Sequence, residues 1–117
     1  MPARHHRVTR GDDYRRIVRN GSRVGGAYCI TYVVPHSLKG DETTPVRFGY
    51  IISKAVGNAV TRNLVRRRMK SITDELIAEG ECCRDVVFRA LPAAATCSYT
   101  ELQREIRRSY AKLRVRT

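Results

Sequence analysis

Apolar positions follow a helical period near both ends and in the middle of the chain, and a strand period between these stretches. Thr9-Arg10-Gly11-Asp12 predicts a helix start, with Thr9 as the cap and Asp12 in the first turn, where the helix dipole favours an acid. Tyr14, Ile17 and Val18 then share one face, and Asn20-Gly21 stops the helix. Residues 27–34 alternate as a strand does: Tyr28, Ile30, Tyr32 and Val34 on one face, Cys29, Thr31 and Val33 on the other. A polar loop spans Pro35 to Pro45, with Gly40-Asp41 at its middle. Val46 to Ser53 predicts a second strand whose apolar centre, Phe48 to Ile52, suits a place inside the sheet. A helix over 59–78 ends near Gly80, and 84–90 predicts a short strand around Val86-Val87-Phe88. Ser98 and Glu101 form a capping box ahead of Leu102, Ile106, Tyr110 and Leu113, which fall at helical spacing. Residues 20–27 leave a further strand open, so the expected order is α-β-β-(β)-α-β-α in one α+β domain spanning 1–117.

Charge narrows what such a domain does. The 117 residues hold 23 Lys and Arg against 11 Asp and Glu, a formal net charge of +12. A compact domain with that excess repels itself unless something anionic answers it. Nucleic acid is the first candidate, because each neutralised phosphate releases condensed counterions; an anionic membrane surface is the second. No apolar run is long enough to span a bilayer, and the basic N-terminus lacks the apolar core of a secretory signal, so a cytoplasmic protein is expected. Residues 1–8 read as a flexible basic arm, with His5 and His6 solvated. Cys29, Cys82, Cys83 and Cys97 show no Cys-x-x-Cys spacing and read as reduced thiols, two of them packed as small hydrophobes. No metal site is expected in the polypeptide.

The segment from Ser53 to Lys70, SKAVGNAVTRNLVRRRMK, is the most informative. Wound as a helix from residue 59, Val65, Met69, Ile72 and Leu76 form one stripe, while Arg62, Asn63, Arg66, Arg67 and Lys70 cluster on another face. The four cations lie within about two and a half turns, or roughly 14 Å. Arginine matches phosphate oxygens in pairs and stacks on bases; an Asn amide both donates and accepts, suiting a base edge or a ribose hydroxyl. Residues 62–70 include no acid, and like charges four apart destabilise a helix in isolation, so a partner must compensate. Tyr14, Tyr28 and Tyr32 add rings of the kind on which unpaired bases stack.

These residues resemble the signature of the bacterial ribonuclease P protein family, which runs roughly Ser-Lys-Lys, Gly-Asn-Ala, Arg-Asn-Arg and further basic positions. This chain supplies Ser53-Lys54, Gly57-Asn58-Ala59, Arg62-Asn63, Arg66 and Arg67. Asp12 to Gly21 resembles the family's opening helix, Val46 to Ile52 its strand before the motif, and Val86 to Pro92 with the helix after Ser98 its ending. Leu64 stands where the family usually has a third basic residue, Ala55 where it often has a second Lys, and Tyr14 and Val18 where it tends to have Phe. The resemblance implies an α/β sandwich, a mixed sheet flanked by helices with a left-handed β-α-β crossover, a handedness that parallel crossovers rarely adopt. It implies two partners, the catalytic ribonuclease P RNA and precursor tRNA, with removal of the tRNA 5′ leader by the RNA using Mg²⁺ that the RNA holds. It assigns Arg62, Asn63, Arg66, Arg67 and Lys70 to the catalytic RNA, and Tyr14, Val18, Tyr32 and Lys54 to a leader-binding cleft.

The residues agree with that division of labour. They show neither the clustered carboxylates that hold catalytic metals nor a Ser/His/acid or Cys/His pattern, so no catalytic residue is assigned and the polypeptide alone is expected to hydrolyse nothing. No membrane partner or small-molecule substrate is expected. A ribosomal or other structural RNA-binding protein shares the composition but not the Gly57–Arg67 block. A DNA-binding regulator predicts a recognition helix after a short helix and turn, whereas here the basic helix follows a strand.

Overall fold

The computed structural model describes residues 6–35 and 45–116. Helix α1 (Gly11–Asn20) leads into β1 (Ser22–Gly25), β2 (Cys29–Pro35), β3 (Arg47–Ile51), α2 (Ala59–Ala78), β4 (Arg84–Ala90), a 3₁₀ turn (Pro92–Ala95) and α3 (Tyr99–Arg116). Residues 20–27, open in sequence, thus include a strand. The sheet order is β1-β2-β4-β3, antiparallel except for the β3–β4 pair. A parallel pair needs a crossover, and α2 supplies it.

Alternation along the strands sorts side chains between two unequal layers. Val33, Phe48, Val86 and Phe88 meet Met69 and Ile72 of α2 and Leu102, Ile106 and Tyr110 of α3 in the main core. Phe48 and Phe88 stack there with ring centroids 6.1 Å apart. Each such side chain contributes about 1.5–3 kcal/mol by leaving water. The opposite face carries Ile30, Tyr32, Val34 and Val87, covered by Ile17 of α1 and by Val8. At ten residues, α1 is too short to persist alone and depends on this docking. Beside that small core, Asp85 is 2% exposed and accepts from Arg47 Nε (2.8 Å), Arg47 Nη2 (2.8 Å) and Arg16 Nη2 (2.7 Å). The carboxylate holds the Arg47 guanidinium above its ordinary pKa.

The capping box forms as expected: Glu101 N donates to Ser98 Oγ at 3.1 Å and Ser98 N to Glu101 Oε1 at 2.9 Å. Four other expectations change. β3 lies at the sheet edge, and β4 holds the centre, bonded on both sides. The apolar centre of β3 reflects burial, not centrality: Val8 N donates to Phe48 O at 2.9 Å, covering part of the outer edge. Residues 6–8 are therefore not an arm; Val8 is buried and His6 Nδ1 lies 2.7 Å from Val46 O, while residues 1–5 fall outside the described residues. Thr9 caps nothing, because α1 starts later and its N-cap position is Arg10. Tyr28 precedes β2 instead of sharing the face of Tyr32; it packs on the main core and donates to Glu101 Oε2 at 3.0 Å.

Replacing Asp85 by Ala strips two arginines of their shared anion. We expect a loss of about 2–3 kcal/mol in denaturant unfolding, below the ~3–5 kcal/mol of a fully buried pair because both guanidinia keep some water.

Candidate nucleic-acid interface

Helix α2 begins where sequence places it. The Asn58 side chain accepts from Thr61 N at 2.9 Å, satisfying one of the free N–H groups of the first turn. Gly57 precedes it at φ +156°, and a Cβ there would come within 2.9 Å of the Thr61 side chain, so the turn requires glycine. From there the helix divides by charge. Arg62, Arg66 and Arg67 occupy its first half, with Lys70 just past the midpoint, and no acid stands in its first turn to favour them. Asp74 and Glu75 stand near its C-terminal end and Glu79 at its C-cap, and Glu75 and Glu79 are taken up by Arg107 of α3 at 3.2 and 2.7 Å. Cations near the positive end of the helix dipole and acids near the negative end is the reverse of what the dipole favours. An external anion would relieve the first half; α3 already relieves the second.

The structure brings the basic face of α2 into line with α1. Val60, Asn63, Arg66, Arg67 and Lys70 line an open groove of about 450 Å³. Arg66 and Lys70 also line a smaller hollow of about 180 Å³ with Arg7, Tyr14 and Tyr50. Tyr14 in turn walls a third depression, about 450 Å³, with Arg15, Val18, Arg19, Ile51 and Arg89. The three adjoin in a track, the hollow sharing Arg66 and Lys70 with the first groove and Tyr14 with the third depression, and no carboxylate among the described residues lines it. Within α2, Arg66 Nη1 donates to Asn63 Oδ1 at 3.1 Å, fixing the amide. The Nε atoms of Arg7 and Arg62 are buried without a hydrogen-bond partner, donors whose desolvation an incoming acceptor would offset.

Tyr14 owes its place to Gly49. A Cβ at residue 49 would approach the Tyr14 ring to 2.6 Å, so only glycine lets the ring settle on β3, where its hydroxyl accepts from Tyr50 N at 3.2 Å. Val18 lines the third depression. Tyr32 does not: at 2% exposure it lies beneath α1 and offers no face to a base. Lys54 is exposed on the turn between β3 and α2 and lines none of the three depressions. The sequence reading missed Arg7, Arg15, Arg19, Ile51 and Arg89. The available signal was Arg89, one cation on the Asp85-Val87-Arg89 face of a strand whose other face is apolar.

The sequence model of the Ribonuclease P family matches residues 1–114. The chain belongs to the ribonuclease P protein family. Among relatives of that family, the ribonuclease P protein component of Clavibacter michiganensis is 44% identical over 106 residues, covering 91% of this chain and 90% of that protein. That of Kocuria rhizophila is 39% identical, covering 95% and 93%. Among solved structures, the Staphylococcus aureus RNase P protein superposes with a TM-score of 0.77 at 23% identity, covering 92% of this chain and 96% of that one. The Thermotoga maritima RNase P protein gives 0.71 at 14% identity, covering 86% and 90%. These structures share the ribonuclease P protein fold, an α+β domain with a mixed sheet.

In a single-strand RNA titration, Tyr14→Ala should weaken binding by about 1–3 kcal/mol, the range for one lost stacking platform, while Tyr14→Phe keeps most of it. Arg66→Ala should lower the slope of log K against log salt by about one if it holds one phosphate. An unchanged slope would place Arg66 off the RNA.

Proposed function

We propose that this chain is the protein subunit of ribonuclease P, a ribonucleoprotein endoribonuclease, and that it binds the catalytic RNA and the 5′ leader of precursor tRNA to assist removal of the leader. The observation that carries this reading is the acid-free track running from the outer face of α2 to the groove beside α1. Arg62, Asn63, Arg66, Arg67 and Lys70 face the catalytic RNA. Tyr14 and Val18 receive the leader with Ile51, and Arg15, Arg19 and Arg89 answer its phosphates. An apolar floor, a ring and a rim of guanidinia suit unpaired nucleotides, whose bases are free to stack, better than a closed duplex. Tyr32 acts from below by supporting α1, and Lys54 meets RNA outside the groove.

Cleavage belongs to the RNA in this reading, with Mg²⁺ held there. Among the described residues no three His, Cys, Asp or Glu side chains come together as a metal donor set. The carboxylates of α1 and β4 are engaged by arginines: Asp12 pairs with Arg15, and Asp13 and Asp85 lie 3.6 and 2.8 Å from Arg47. In this reading the polypeptide's own contribution is to hold two RNA segments and screen their mutual repulsion, work that Mg²⁺ otherwise shares. No helix among the described residues is long and apolar enough to cross a membrane; the site of action in this reading is the cytoplasm, where precursor tRNA is made.

Reconstitution with a bacterial ribonuclease P RNA tests it. At low Mg²⁺ the protein should restore precursor-tRNA cleavage, the benefit should shrink as Mg²⁺ rises, and Arg62→Ala combined with Arg66→Ala should abolish it in a protein that still folds. Salt-sensitive RNA binding without any gain in cleavage would instead indicate a general RNA-binding role.

A further inference from the structure

Two pairs of thiols in this chain have opposite surroundings. Cys29 and Cys97 are buried, and burial pushes both thiols above the ordinary range. Cys82 and Cys83 are half-buried neighbours in the turn between α2 and β4, with sulfur atoms 2.9 Å apart. The fold, not the sulfurs, sets this geometry. Cys82 bridges to Pro45, and its carbonyl accepts from Arg84 Nη1 at 3.1 Å. Glu81, just before, accepts from Tyr110 at 2.8 Å and Arg114 at 2.7 Å. Cys83 itself sits at φ +67°, in the left-handed region that residues other than glycine seldom adopt.

We propose that Cys82 and Cys83 form a vicinal dithiol that a hydroperoxide converts, within one chain, to a Cys82–Cys83 disulfide. The thiolate of one cysteine attacks the terminal peroxide oxygen, forming a sulfenic acid and releasing the alkoxide, which takes a proton. The second thiolate then displaces hydroxide from the sulfenyl sulfur, forming the S–S bond; hydroxide leaves as water. Two thiols and one hydroperoxide give one disulfide, one alcohol and one water. Proximity favours this closure over a second oxidation: the resolving sulfur is already in contact, and bonding requires an approach of only ~1 Å, to about 2.05 Å. Adjacent Cα atoms stand about 3.8 Å apart, shorter than the usual 4.4–6.8 Å span of a disulfide, so the ring is strained and a dithiol reductant should reopen it. The proposal is independent of the RNA-binding reading.

The test is intact-mass analysis of the full chain after one equivalent of hydroperoxide. The expected product is a monomer lighter by about two daltons, restored by dithiothreitol, with Cys82 and Cys83 protected from alkylation after oxidation. Cys82→Ser and Cys83→Gly, the latter suited to the left-handed backbone, should each abolish the mass loss. Oxygen addition in the wild type, a disulfide-linked dimer, or a two-dalton loss that survives either substitution would overturn the assignment.

Discussion

A buried carboxylate on the central strand decides where the first helix lies. Asp85 would be costly at 2% exposure without partners, and its partners include Arg16 from α1 and Arg47 from β3. Arg47 also lies 3.6 Å from Asp13, so helix, edge strand and central strand are tied at one corner. A ten-residue helix contributes little stability of its own. Its attachment by one ion network and by Ile17 fixes the orientation of every residue it presents to the groove.

The groove exists because the sheet is covered unequally. Two helices of 20 and 18 residues pack one face, whereas α1 crosses only part of the other. It covers the cross-strand row of Tyr32, Val87 and Gly49 and the row of Val34, Asp85 and Arg47. The next row, Ile30, Arg89 and Ile51, extends past it, and Arg15, Val18 and Arg19 overhang that row. Binding surface and docking helix are thus one element, and the substitution that frees α1 also dismantles the groove.

The net charge of +12 is not spread evenly. Glu75, Glu79 and Glu81 bind the cations of α3. Glu105 is buried against the turn before β2, where its oxygens accept from the backbone N–H groups of Ala27, Tyr28 and Cys29 at 2.7–2.9 Å. With these acids used internally, the track along α2 and α1 keeps its cations, and no carboxylate among the described residues lines it. Internal pairing therefore concentrates positive potential along α2 and α1 while the rest of the surface is partly neutralised.

Sequence alone determined the long helix, its cap at Asn58, its dry stripe and its basic face, because all are local and periodic. It also determined the family, since the Gly57–Arg67 block spans contiguous residues. Tertiary structure decided what depends on distant pairing. Tyr32 alternates correctly yet lies under α1, since alternation assigns a side chain to a sheet face but not what covers that face. Phe48 to Ile52 looks central yet forms an edge, because burial comes from layers as well as from neighbouring strands. Arg7, Arg15, Arg19 and Arg89 are scattered over more than eighty positions and converge only when α1 docks on the sheet. Local pattern fixes elements and faces; which faces meet is set by long-range burial and by one buried acid that no periodicity reveals.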